Sequence, residues 1–115
     1  MRGYVSFLAS YQFSRALPGP VMTQLEEAFA PRAVRRGGLF LYDKPTALAF
    51  LRALHAAQVT LLGVDAFLLG AETTQPMMEH SLDVSSASFA GNSFNAAQQV
   101  IQQCPAGTYF EFTYD

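Results

Sequence analysis

Tryptophan is absent from this 115-residue chain, cysteine occurs once, and only 14% of the side chains are charged. Each shortage removes a class of protein. The single thiol, Cys104, excludes an internal disulfide framework and any cysteine-rich metal site. The two histidines, His55 and His80, have no ligand spacing such as i and i+4, so no metal is expected. No apolar run approaches the ~20 residues of a membrane span. Serines and Gln12 interrupt the run from Tyr4 to Phe13, which makes a poor signal-peptide core. The expected address is the cytoplasm, with no membrane partner.

Basic residues are missing from one half of the chain. All seven Lys and Arg lie at or before Arg52; Asp65, Glu72, Glu79, Asp83, Glu111 and Asp115 follow with no base among them. A net charge of −2 argues against general nucleic-acid binding, which needs cations to neutralise phosphates. A fold that keeps the two halves apart gives one face that attracts a basic partner. A fold that mixes them gives an ordinary solvated surface.

Catalytic signatures are also missing. No serine sits in a Gly-x-Ser-x-Gly elbow, and Gly37-Gly38 lacks a following Lys-Ser or Lys-Thr. Arg35-Arg36 in a turn reads as soluble surface or as an anion grip. Cys104 falls on the apolar stripe of a helix and reads as a small buried hydrophobe rather than a nucleophile. Neither an enzyme nor a cofactor is expected.

What is present builds one domain over residues 1–115. Half of the side chains are apolar, ten Phe and five Tyr among them, and two smaller pieces could not each bury a core. Val5, Phe7, Ala9, Tyr11 and Phe13 alternate like a strand, although Tyr4, Phe7, Leu8 and Tyr11 also fit a helical face. The breaker Leu17-Pro18-Gly19-Pro20 precedes a helix from Val21 to Ala30, with Met22, Leu25 and Phe29 on one side, stopped by Pro31. Arg35 to Gly38 reads as a turn into the strand Leu39–Tyr42. Asp43 is a natural N-cap for a helix whose inward face carries Ala47, Phe50, Leu51, Leu54 and Gln58.

Val59 to Leu69 is too apolar for a surface element and predicts a buried central strand. Gly63 within it marks a bulge or a close backbone approach. Gly70 to Pro76 reads as a loop, and Ser81 to Ser85 as a strand with Leu82 and Val84 inward. Gly91-Asn92-Ser93 supplies a turn and N-cap for a helix bearing Phe94, Ala97, Ile101 and Cys104. Thr108 to Tyr114 closes the chain as a strand. The order predicts an α+β domain: a mainly antiparallel sheet of 4–5 strands with about three helices on one face.

From Lys44 to Asp115 the chain resembles the polymorphic-toxin immunity proteins grouped as the immunity protein 40 family. The resemblance is carried by Thr46-Ala47-Leu48-Ala49-Phe50-Leu51, by Val59-Thr60-Leu61-Leu62-Gly63-Val64-Asp65-Ala66-Phe67, by Ser93, Ala96 or Ala97 and Val100-Ile101, and by Tyr109-Phe110. Val64 stands where that family has a second glycine, and His80-Ser81-Leu82 occupies the region of its middle-strand tryptophan. The resemblance implies a protein that neutralises a cognate bacterial toxin by binding it.

The candidate partner-binding residues are Asp65, Phe67, Glu72, Glu79, Asp83 and Tyr109. Asp65, placed at the end of the central strand, either accepts donors from a toxin or takes backbone N–H groups in the following turn. Glu72, Glu79 and Asp83, in or beside the loop after that strand, either pair with a toxin's Lys and Arg or are solvated loop charges. Met77-Met78 is either core or adaptable interface surface. Phe67 and Tyr109 are candidate aromatic anchors. The rival reading is a small ligand-binding or regulatory module that forms a weak homodimer through the edge of the closing strand.

Overall fold

The computed structural model describes residues 19–85 and 91–115, with side chains from residue 24 onward. The alternating segment from Val5 to Phe13 and the side chain of Met22 lie outside them. The described residues form an α+β domain: three α-helices, a four-stranded antiparallel sheet and a two-stranded antiparallel hairpin.

Helix α1 (Gly19–Phe29) ends where Pro31 enters, and the chain tightens into a 3₁₀ turn over Ala30–Arg32. Strands β1 (Val34–Arg36) and β2 (Leu39–Leu41) form a hairpin around Gly37-Gly38. Arg35 and Arg36 therefore belong to a strand rather than to the turn, and the turn is the two glycines alone. Gly37 has φ +59°, the left-handed region that a two-residue hairpin loop requires.

Helix α2 (Lys44–Ala56) begins as its sequence dictates. Asp43 Oδ1 accepts the Thr46 N–H at 3.1 Å, and Pro45 occupies the first turn. Ala47, Phe50, Leu51 and Leu54 are buried along one face. Gln58, read from the sequence as part of that face, lies beyond the helix and is exposed. It takes φ +60°, while Val59 N–H donates to Leu54 O and Gln58 N–H to His55 O. This is a Schellman termination with glutamine in the position that glycine usually fills.

Strand β3 (Leu61–Leu69) is the centre of the sheet, as its apolar run predicts. Strand β6 (Thr108–Tyr114) pairs with it from Leu61↔Tyr114 to Leu68↔Thr108. The register shifts between Leu61 and Gly63, so the glycine does mark a bulge. It also permits a close approach, because a Cβ at Gly63 would lie 3.0 Å from Leu82 O. The opposite edge of β3 is shared by β4 (Thr74–Pro76), opposite Phe67–Leu69, and β5 (Leu82–Asp83), opposite Gly63–Val64. The composition of Gly70–Pro76 predicts a loop throughout, but Thr74–Pro76 is a strand because β3 offers it a long-range partner.

Helix α3 (Ser93–Gln103) follows Asn92 at the N-cap position and buries Ala97 and Ile101. Both α2 and α3 cover the β3/β6 face that carries Val64, Ala66, Phe110 and Phe112, and α1 packs on α2. Burial of these side chains is the main stabilising term, roughly 1.5–3 kcal/mol for each large one. Phe50 is the hub, with its ring 4.9 Å from Phe29, 5.1 Å from Tyr42 and 5.4 Å from Phe112. The hairpin joins the sheet through Tyr42, which exchanges two backbone hydrogen bonds with Phe110. Burial, with Glu26 nearby, pushes the Tyr42 hydroxyl up to about 12. The Tyr114 hydroxyl donates to Glu26 Oε2 at 2.7 Å, tying α1 to the end of β6.

Candidate functional site

The register of β3 divides its side chains between two faces. Val64 and Ala66 go to the helices; Asp65 and Phe67 go to the other side, together with their cross-strand partners. Phe67 stands opposite Tyr109 on β6 and Pro76 on β4, which makes a row of Tyr109, Phe67 and Pro76 across the sheet. The next row is Glu111 opposite Asp65, and the next is Thr113, Gly63 and Asp83. Four candidates (Asp65, Phe67, Asp83 and Tyr109) thus share the face turned away from the helices.

Asp65 lies in the middle of β3, not at its end, so it does not cap a following turn. Directly opposed carboxylates repel at a Cβ separation of about 5 Å. Asp65 and Glu111 both have interaction partners, as does Asp83. The Asp83 carboxylate accepts the Ser85 N–H at 2.9 Å and the Ser85 hydroxyl at 2.6 Å. Phe67 is only 8% exposed and Tyr109 is half-buried, so an aromatic contact from this face falls to Tyr109.

Glu72 and Glu79 lie elsewhere. Glu72 occupies the turn between β3 and β4, and Glu79 a 3₁₀ turn over Met78–His80 that bridges β4 and β5; both are exposed. Glu72 lies past Leu69 and Asp83 lies opposite Gly63, so the acids spread along one sheet edge by roughly 20 Å of strand. They do not form one cluster. Met78 between them is 75% exposed, whereas Met77 packs against the core.

Two supports of this edge were not legible in the sequence. The Ser81 hydroxyl accepts the Ala66 N–H at 3.1 Å and donates to Met77 O at 3.1 Å. It therefore serves β3 in the gap where neither β4 nor β5 reaches. Arg36 reaches from β1 to the β3–β4 turn, donating to Gly70 O at 2.9 Å and Thr73 O at 3.0 Å. The only sequence signal for either was a polar residue beside an apolar run.

The basic residues have structural work. Arg32 lies over the Phe29 ring at 4.8 Å and Arg35 over the Phe40 ring at 4.6 Å. Lys44 donates to Gln102 O at 3.2 Å and Cys104 O at 2.6 Å, placing a cation at the carbonyl end of α3. Cys104 is buried in the core; burial pushes its thiol up, and Lys44 partly opposes this. Among the described Lys and Arg residues, Arg52 alone has no such partner.

Arg52 and His55, one turn apart on α2, line a shallow groove with Leu48 and Leu51 below them and Phe94 and Gln98 across from them on α3. The His55 ring stacks on Phe94 at 4.5 Å with an interplanar angle of 13°. The spacing of Arg52 and His55 along α2 could have shown that they share a face; their pairing with α3 could not be read. Among the described residues no helix is long and apolar enough to cross a membrane, and no three His, Cys, Asp or Glu side chains gather in metal-binding geometry. No protein-family model, no curated protein and no solved structure matches this chain.

Proposed function

We propose that this chain is an immunity protein of the cytoplasm: it binds a cognate bacterial toxin and neutralises it by contact rather than by chemistry. The observation that carries the reading is the edge running from Glu72 through Met78 and Glu79 to Asp83. A protruding, adaptable apolar side chain stands there among exposed carboxylates. The cations Arg32, Arg35, Arg36 and Lys44 are meanwhile held against rings and carbonyls. An edge of this kind suits a partner with a basic rim around an apolar recess, because rim charges speed encounter and the central contact supplies residence time. Tyr109, with Glu111 and Asp65 in the next row of the sheet, extends the acidic and aromatic character onto the adjoining face. The resemblance of residues 44–115 to toxin-immunity proteins points to the same kind of partner.

The test is to look beside its gene for a large secreted protein and, where one is encoded, to ask whether its C-terminal domain co-purifies with this chain and whether cells expressing that domain are protected. Reversing Glu72 and Glu79 to Lys is expected to slow association about tenfold at low salt and to flatten its salt dependence. Unchanged association at low salt would remove the electrostatic part of the proposal. Cells left unprotected would sink the whole of it.

A further inference from the structure

The groove between α2 and α3 has a definite chemistry. Its floor is Leu48, Leu51 and Phe94, and its rim holds the Arg52 guanidinium and the His55 ring stacked on Phe94. It encloses about 30 Å³. Small-molecule pockets offer several hundred, so this space takes the tip of one side chain laid across it rather than a metabolite. The matching shape is an apolar side chain followed by a carboxylate.

The same molecule presents that combination on another surface. Met78 is 75% exposed and Leu68 48%, and these are the exposed large apolar side chains among the described residues. Glu79, next to Met78 in the same 3₁₀ turn, is exposed as well. Met78 has the flexible thioether that fills irregular recesses, and Glu79 supplies a charge for Arg52, which has no ion pair or ring contact among the described residues.

We propose that the α2–α3 groove is a self-association site, occupied by Met78 and Glu79 of a second copy of this chain. The tip of Met78 rests on the groove at Leu48 and Phe94 while Glu79 pairs with Arg52. The contact joins two different patches: formed reciprocally it gives a two-fold dimer, and formed head to tail it closes into a ring or extends copy by copy. Being small, it is weak, with a dissociation constant on the order of 100 µM. It needs no toxin, so its failure leaves the toxin reading standing; because Met78 and Glu79 also belong to the proposed toxin edge, the two contacts exclude each other.

Sedimentation of the purified full chain across a dilution series is the test. The expected result is a mass that rises reversibly with concentration. Arg52→Glu and Glu79→Arg should each weaken association about tenfold or more, and the double variant R52E/E79R should regain most of it. Met78→Glu, an exposed position whose change leaves the core intact, should weaken it too. Strictly monomeric behaviour up to about 1 mM would overturn the proposal. So would association that Arg52→Glu and Met78→Glu leave unchanged, or a double swap that recovers nothing.

Discussion

Along one edge of β3 a single strand, β6, pairs from Leu61 to Leu68; along the other, two short strands share the length and leave a gap between them. The β6 edge repeats one rule, alternation of Phe110 and Phe112 toward the helices with Tyr109, Glu111 and Thr113 away from them. The β4/β5 edge follows no repeat. Its chain leaves the sheet after Pro76, turns through Met78–His80 and returns at Leu82, and a serine hydroxyl answers the β3 amide in between. Pairing without interruption consumes polar backbone and buries side chains. Interrupted pairing leaves residues with no packing duty, and there Met78 and Glu79 reach solvent. The contrast separates the stabilising edge of this sheet from the edge free to recognise a partner.

The largest effect is expected on the continuous side. Phe110 has no exposed surface, and Phe110→Ala should cost about 3–5 kcal/mol in urea denaturation and melt both edges together. A loss below about 1 kcal/mol would mean that β6 is not the main brace of β3. Next comes the gap. Ser81→Ala strands the Ala66 N–H in a half-buried position, for an expected loss of about 1–3 kcal/mol. Hydrogen exchange should quicken at Ala66 while the amides of β6 stay protected; equal quickening on both sides would erase the distinction between the edges.

Gly63→Ala should have the smallest effect, about 1 kcal/mol. The added Cβ meets Leu82 O at 3.0 Å, and β5, only two residues long, must give way by a few tenths of an ångström. A loss as large as that of Phe110→Ala would show that β5 is anchored as firmly as β6.

These contrasts follow how much of the protein was readable in advance. Helix α2, with Asp43 as its cap and Ala47, Phe50, Leu51 and Leu54 inward, was visible because capping and helical spacing act over a few residues. Strands β3 and β6 were visible through apolar content and alternation. Strand β4 was not, since Thr74-Gln75-Pro76 has little preference for extended pairing and holds its shape only because Phe67–Leu69 lie alongside. The acidic rows were half-visible. Asp65 could be singled out, but Glu111 opposite it depends on a register set across 46 residues.

The chain's own composition and periodicity settled the class of the fold, the helical and central-strand segments, the inward residues and the uneven placement of charge, because those follow from nearest-neighbour chemistry. Tertiary structure alone decided which side chains meet: Arg36 with the turn at Gly70–Thr73, Ser81 with Ala66, Arg52 and His55 with Phe94. Such meetings join residues far apart in the chain, and their geometry exists only once helices and strands have packed against each other.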